Sequence, residues 1–187
     1  MNPTNNTAPI LGFAAFSGTG KTTLLRQLIP RLKQHGLRPG LIKHAHHNFD
    51  VDQPGKDSYV LRHAGAERLL IGSRRRWALM VETPQAHEPT LQDLLARFPA
   101  DDLDLILVEG FKHERFPKIE LHRASLGKPL LHPGDDSIIA CASDISHNMP
   151  ATTRPQLDIN QPDEIVRFIL QWLQEQHTIS TTLRANG

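Results

Sequence analysis

One stretch near the start of the chain, residues 15–23, restricts the possible folds more than any other. It reads Ala-Phe-Ser-Gly-Thr-Gly-Lys-Thr-Thr, follows the apolar run 10–14, and precedes leucines at helical spacing. It matches the phosphate-binding pattern Gly-x-x-x-x-Gly-Lys-Ser/Thr at every position except the first, where Ala15 replaces glycine. A strand, a glycine-rich turn and a helix in this order predict a P-loop nucleotide-binding domain. The alternative is a strand-to-helix turn that holds no ligand.

The residue types in this loop are those that the phosphates of a nucleotide need. Gly18 and Gly20 allow the sharp turn through which backbone amides converge on a phosphate. Lys21 supplies a positive charge for the β- and γ-phosphates, and Thr22 supplies a hydroxyl for Mg²⁺. The start of the following helix adds free amides and the positive end of its dipole. The predicted nucleotide-binding residues of the loop are Ser17, Gly18, Thr19, Gly20, Lys21, Thr22 and Thr23.

The rest of the chain alternates strand-like and helix-like segments, which predicts an α/β fold with a doubly wound, mostly parallel sheet flanked by helices. Residues 103–110 are the most continuously apolar and are expected to form a central strand. Residues 68–72 and 77–81 are too close in sequence for a parallel crossover, so they predict an antiparallel hairpin and hence a mixed sheet. Residues 118–122 alternate charged and apolar side chains, as an edge or half-exposed strand does.

Composition sets the wider limits. A chain of 187 residues with 39% hydrophobic residues favours one domain, placed at residues 10–177 between disordered tails at 1–9 and 178–187. The net charge of +1 gives no sign of nucleic-acid binding, and no long apolar segment predicts a membrane span. The single cysteine, Cys141, and an N-terminus unlike a secretory signal favour the cytoplasm.

A second candidate for metal chemistry is Glu109, which closes the predicted central strand. In P-loop proteins a carboxylate at the carboxyl end of a neighbouring strand holds Mg²⁺, and ligands of open α/β sheets bind at those ends. Asp104 lies roughly 16 Å back along the same strand, at about 3.3 Å per residue, and is therefore the weaker candidate. The alternative for Glu109 is a solvated acid at a strand end.

The third candidate region, residues 43–58, follows the second predicted strand and should lie on the phosphate side of the sheet. It contains His44, His46, His47, Lys56 and Asp57. The histidines could bind a transition metal, but they lack a partner cysteine and a regular ligand spacing, so contact with an anionic substrate or phosphate is favoured. Asp57 could ligate Mg²⁺ or orient an attacking water, or it could simply cap a short helix.

Four segments together resemble one known family. Residues 16–25, 40–47, 54–58 and 107–112 occur in the order found in the MobB family, the molybdopterin-guanine dinucleotide biosynthesis adaptor proteins. The resemblance extends from about residue 10 to about residue 173. It implies a homodimeric GTP-binding protein with weak Mg²⁺-dependent GTP hydrolysis that assists the enzyme joining GMP to molybdopterin. It also implies that the pterin-bearing partner acts near the loop from His44 to Asp57.

Selectivity for guanine is not decided by the residues alone. The chain has no Asn-Lys-x-Asp base-reading tetrad, and the nearest substitute is Asp144, at the end of the strand predicted at 138–142. Asp144 could accept two hydrogen bonds from guanine, or it could cap a turn. Two classes of function therefore remain: a P-loop kinase or ligase acting on a small molecule, and an adaptor that binds GTP and turns it over slowly. The resemblance favours the adaptor.

Overall fold

The computed structural model describes residues 8–45, 49–83, 88–145 and 152–185, and side chains up to residue 179. The predicted site residues His46 and His47, and the N-terminal tail as far as residue 7, lie outside the described residues. The chain forms two compact units, whereas the sequence predicts a single domain for residues 10–177. Met1–His44 and Thr90–Gly187 make up the first unit, and Ala45–Pro89 the second.

The first unit is built on a parallel sheet. Its six described strands are β1 (Ile10–Ala14), β2 (Pro39–Lys43), β5 (Leu105–Glu109), β6 (Lys118–His122), β7 (Ile138–Ser143) and β8 (Gln156–Asp158). They lie in the order β2-β5-β1-β6-β7-β8, and every described pairing is parallel. The helices of this unit are α1 (Lys21–Gln34), α3 (Leu91–Leu95) and α4 (Pro162–Ala185). This architecture confirms the predicted P-loop fold class.

Apolar side chains cover both faces of the sheet. On one face, Leu11, Phe13 and Leu107 pack in a cluster with leucines of α1 and apolar residues of α4. On the other face, Ile106 and Val108 pack with residues of α3 and the segments around it. Every residue of β5 is buried, because successive side chains point into opposite clusters. The prediction of a central strand here is confirmed.

The prediction that residues 118–122 form an edge or half-exposed strand is wrong. β6 pairs with β1 on one side and β7 on the other, and Lys118 and Glu120 are buried. Lys118 lies 2.9 Å from a carboxylate oxygen of Asp135, and Glu120 accepts the backbone N–H of His132 at 3.0 Å. A charged side chain can be buried when such partners replace water, so alternation of charged and apolar residues did not indicate exposure.

The second unit contains α2 (Asp57–His63) and the strands β3 (Arg68–Gly72) and β4 (Trp77–Val81). The two strands form the predicted antiparallel hairpin, with Gly72 opposite Trp77. The hairpin is a sheet of its own, so the large sheet is not mixed as the sequence suggested. Short-range spacing identified the pairing of these two strands, but it carried no information about whether they join the other six.

Both predicted tails are shorter in the structure. Ala8 is buried, and the carbonyl of Pro9 accepts the N–H of Ile106 at 2.8 Å, so residues 8 and 9 belong to the fold. At the other end, α4 continues to Ala185 through residues assigned to a disordered tail. Once a helix has begun, each added residue gains a hydrogen bond, which explains the extension. No described helix is long and apolar enough to cross a membrane.

Candidate nucleotide-binding site

The P-loop connects the end of β1 to the start of α1. Gly18 and Gly20 have φ angles of 83° and 96°, in the left-handed region where a side chain would be strained. Thr19 is buried, and its hydroxyl donates to the carbonyl of Phe16 at 2.8 Å, which closes the loop on itself. No side chain caps the start of α1, and its first turn contains no acid. Its amides are therefore available to an anion.

Lys21 folds back over this loop. Its ammonium donates to the carbonyl of Ala15 at 3.3 Å. Burial lowers the pKa of Lys21 most; the negative charge of Glu109 opposes this effect, and the positive charges of Lys112 and Lys43 add to it. The loop is thus surrounded by cations, an arrangement that favours binding of a polyphosphate.

The structure brings Thr22 and Glu109 together. The Thr22 hydroxyl donates to one carboxylate oxygen of Glu109 at 3.3 Å, and the ammonium of Lys43 lies 3.5 Å from the other oxygen. Asp104 lies at the opposite end of β5, where it accepts the backbone N–H of Arg38 at 2.7 Å. A hydroxyl and a carboxylate are oxygen ligands of the kind that Mg²⁺ prefers, so this pair fits a magnesium ion.

Asp144 is tied to the P-loop through Arg123. The Asp144 carboxylate accepts the N–H of Ala124 at 3.0 Å and lies 3.8 Å from the Arg123 guanidinium. Arg123 in turn donates to the carbonyl of Thr19 at 3.1 Å. In the adjoining turn the N–H of Ile145 binds the hydroxyl of Ser143, not the Asp144 side chain. A carboxylate has about four acceptor positions, so Asp144 retains capacity for a base.

His44 lies beside the end of β5. Its backbone N–H donates to the carbonyl of Glu109 at 2.8 Å, and its ring centroid is 4.5 Å from that of Phe111. A side chain at Gly110 would begin 2.5 Å from the His44 Cβ, so only glycine allows this close approach. The expectation that His44 lies on the phosphate side of the sheet agrees with this position.

Lys56 and Asp57 belong to the second unit, whereas Lys21, Thr22 and Glu109 belong to the first. Asp57 is the first residue of α2, and the capping position before it is Lys56, which makes no side-chain capping bond. The simple capping role considered for Asp57 therefore does not apply, although an acid in the first turn favours the helix dipole. Both side chains are exposed.

Several cations near the loop were missed in the sequence. Lys112 and Lys128 have their ammonium groups 5.3 and 6.0 Å from the Phe16 ring centroid, and Arg123 contacts Thr19. Lys43 ends β2, Lys112 follows β5 by three residues, and Arg123 follows β6 directly. Their positions after the carboxyl ends of parallel strands were the available signal, because ligands bind at that edge.

A buried cluster of Glu120, His132 and Cys141 is the one group of possible metal ligands found among the described residues, with ligand atoms within 4.8 Å of one another. Its polar atoms already bind each other: the His132 ring lies 2.9 Å from Glu120, which also accepts two backbone N–H groups. Burial, and next the charge of Glu120, raise the pKa of Cys141 to about 12. Because Glu120 and His132 are already paired in this way, we interpret the cluster as structural.

Comparison with known proteins identifies the family of this chain. The family model described as "Molybdopterin guanine dinucleotide synthesis protein B" matches residues 10–144. The "Molybdopterin-guanine dinucleotide biosynthesis adapter protein" of Escherichia coli (strain K12) is 52% identical over 170 residues, which is 90% of this chain and 95% of that protein. The chain belongs to this family. The resemblance found in the sequence is therefore confirmed.

Two further relatives extend the comparison. The adapter protein of the same name from Haemophilus influenzae is 44% identical over 174 residues, covering 92% of this chain and 94% of that protein. A crystal structure of molybdopterin-guanine biosynthesis protein B superimposes with a TM-score of 0.69 at 24% identity, covering 88% of this chain and 99% of that chain. At this identity the structural match supports the fold alone.

Proposed function

We propose that this chain binds GTP with Mg²⁺ at its P-loop and acts as an adaptor that assists the attachment of GMP to molybdopterin. The observation that carries the nucleotide site is the contact between Thr22, at the start of α1, and Glu109, at the end of β5. The pathway is supported by family membership and by the names of the relatives from Escherichia coli and Haemophilus influenzae.

In this proposal the P-loop amides and the uncapped start of α1 hold the phosphates. Lys21 leaves the carbonyl of Ala15 to contact the phosphate oxygens. Thr22 and Glu109 would hold the magnesium ion, which would neutralise negative charge on the phosphates. Lys43, now paired with Glu109, limits the negative charge of that carboxylate before metal binds.

Guanine recognition is assigned to Asp144. It follows β7, at the edge of the sheet where ligands bind, and Arg123 connects it to the P-loop backbone. One carboxylate oxygen is engaged by the N–H of Ala124. The remaining acceptor positions suit the two N–H groups on one edge of guanine, which adenine lacks.

Hydrolysis is proposed to be weak. The catalytic residues of the proposal are Glu109, through the metal, and Asp57, which would orient the attacking water. Asp57 lies in the second unit, and its exposed carboxylate is free to serve a site assembled with a partner. We propose that His44, His46, His47 and Lys56 contact the anionic pterin phosphate of that partner.

The same proposal includes a homodimer in the cytoplasm. One face of the β3–β4 hairpin carries Leu70, Trp77, Leu79 and Val81, all substantially exposed. Apolar surface of this kind is typical of a protein interface, and a second copy of the chain would cover it. The single cysteine is buried as a free thiol, in keeping with a reducing compartment.

A reconstituted assay tests the function. The purified enzyme that joins GMP to molybdopterin is supplied with substrates, with and without this chain, and product formation and co-purification are measured with GTP, GDP or no nucleotide. The proposal predicts GTP-dependent association and increased product. Rapid transfer of phosphate from the nucleotide to a small molecule without the partner enzyme would instead support a kinase. Neither association nor increased product would contradict the adaptor.

A further inference from the structure

Lys112 lies against the P-loop although the motif does not include it. Its ammonium is 5.3 Å from the centroid of the ring of Phe16, the second residue of the loop. The ammonium of Lys21 belongs to the same loop and lies 3.3 Å from the carbonyl of Ala15. Lys112 therefore extends the positive field of the loop.

Lys112 has no ion pair among the described residues, in contrast to Lys43 and Lys118. Lys43 is paired with Glu109 at 3.5 Å, and Lys118 with Asp135 at 2.9 Å. Among the residues that the structure describes, no carboxylate lies within ion-pair distance of the Lys112 ammonium. Like charges held close together without an anion repel each other, and a bound phosphate would relieve that repulsion.

The backbone around Lys112 is fixed. Gly110 and Phe111 have φ angles of 113° and 52°, and a non-glycine residue in the left-handed region is kept there only by its surroundings. The buried ammonium of Lys118 donates to the carbonyls of Lys112, at 3.3 Å, and Glu114. The Lys118 ammonium thus fixes the turn after β5, while the Lys112 side chain extends towards Phe16 of the P-loop.

We propose that Lys112 is a second phosphate-binding lysine, which contacts the terminal phosphate of a nucleoside triphosphate held by the P-loop. The inference rests on the proposed nucleotide binding. Lys112 follows Glu109 by three residues and its ammonium contacts the Phe16 ring of the P-loop, so it lies at the edge of the sheet where Thr22 and Glu109 would hold a metal. The inner phosphates belong to the start of α1.

The experiment compares affinities for GTP and GDP by titration calorimetry with Mg²⁺ present. The variants are Lys112→Gln, Lys112→Arg and Lys33→Gln; Lys33 is an exposed lysine in the last turn of α1 and serves as the matched control. Lys112→Gln should lose at least about tenfold in GTP affinity and less than about threefold in GDP affinity, because a charge-assisted contact is lost only with the triphosphate. Lys112→Arg should retain most of the GTP affinity, and Lys33→Gln all of it.

An unchanged GTP affinity in Lys112→Gln, or equal losses for GTP and GDP, would overturn this inference while leaving the proposed function intact. Absence of nucleotide binding by the unmodified chain would overturn the proposed function, and this inference with it. If Lys33→Gln lost as much GTP affinity as Lys112→Gln, the effect would come from general surface charge, and the inference would also be overturned.

Discussion

The strands β4 and β5 have similar apolar sequences and opposite environments. β4 reads Trp-Ala-Leu-Met-Val and β5 reads Leu-Ile-Leu-Val-Glu. Leu105 and Leu107 in β5 are fully buried, whereas Trp77 and Leu79 in β4 are 64% and 53% exposed. β5 lies between two strands and has an apolar cluster on each face, whereas in the described part of the chain β4 pairs with β3 alone.

This difference shows that an apolar strand sequence predicts burial, but not which surface provides that burial. For β5 the sheet and the helices of its own unit provide it. For the hairpin, the face of Leu70, Trp77, Leu79 and Val81 is exposed in this chain, and we propose that a second copy of the chain covers it. The contrast yields predictions of decreasing size.

The largest effect is expected in β5. Leu107→Ala removes a side chain that is 0% exposed and part of the larger core cluster. The free energy of unfolding should fall by about 2–5 kcal/mol, from lost burial and the cavity left behind. Denaturant unfolding measures this change. A loss below about 1 kcal/mol would mean that β5 is not the packed centre of the sheet.

The hairpin should respond in its association instead. Leu79→Asp places a charge on the exposed apolar face, so self-association should weaken at least about tenfold, because a buried unpaired charge is costly in an interface. Sedimentation equilibrium over a range of protein concentrations measures it. Ile179→Asp is the matched control, since Ile179 on α4 is similarly exposed at 55%. A monomeric unmodified chain, or equal effects of both variants, would refute the hairpin dimer.

The two ends of β5 provide the next contrast. Glu109→Gln keeps the side-chain shape but removes the charge beside Thr22, so the gain in GTP affinity on adding Mg²⁺ should fall about tenfold. Asp104→Asn, at the far end beside Arg38, should leave that gain unchanged. Calorimetry with and without Mg²⁺ distinguishes the two variants. The reverse result would place the metal at the Asp104 end of β5 and contradict the assignment to Glu109.

The smallest effect concerns the buried thiol of Cys141. Its pKa is raised to about 12, mainly by burial, whereas the pKa of a cysteine in the unfolded chain is about 8.5. Above that pH the unfolded state releases the proton first, so stability falls as pH rises. Between pH 7 and 9 the unmodified chain should lose about 1 kcal/mol more than Cys141→Ala. Unfolding curves at both pH values measure the difference; parallel losses would contradict it.

The sequence predicted those parts of the structure that short-range patterns determine. The P-loop, the central strand ending in Glu109 and the antiparallel pairing of β3 with β4 follow from local spacing. The burial of Lys118 and Glu120 did not, because it depends on partners such as Asp135 that are distant in sequence. The link from Asp144 through Arg123 to the P-loop also joins three separate segments, which no local pattern reports.

The central claim is that the P-loop holds the phosphates of GTP, and one measurement tests it most directly. Titration calorimetry with GTP and Mg²⁺ compares the unmodified chain with Lys21→Ala, which removes the side-chain cation of the loop itself. We expect binding by the unmodified chain and at least about a tenfold loss in the variant, because charge-assisted contacts contribute about 1.5–3 kcal/mol each. The melting temperature of the variant should hardly change. Equal GTP affinity of the two proteins would contradict the assignment of the nucleotide site.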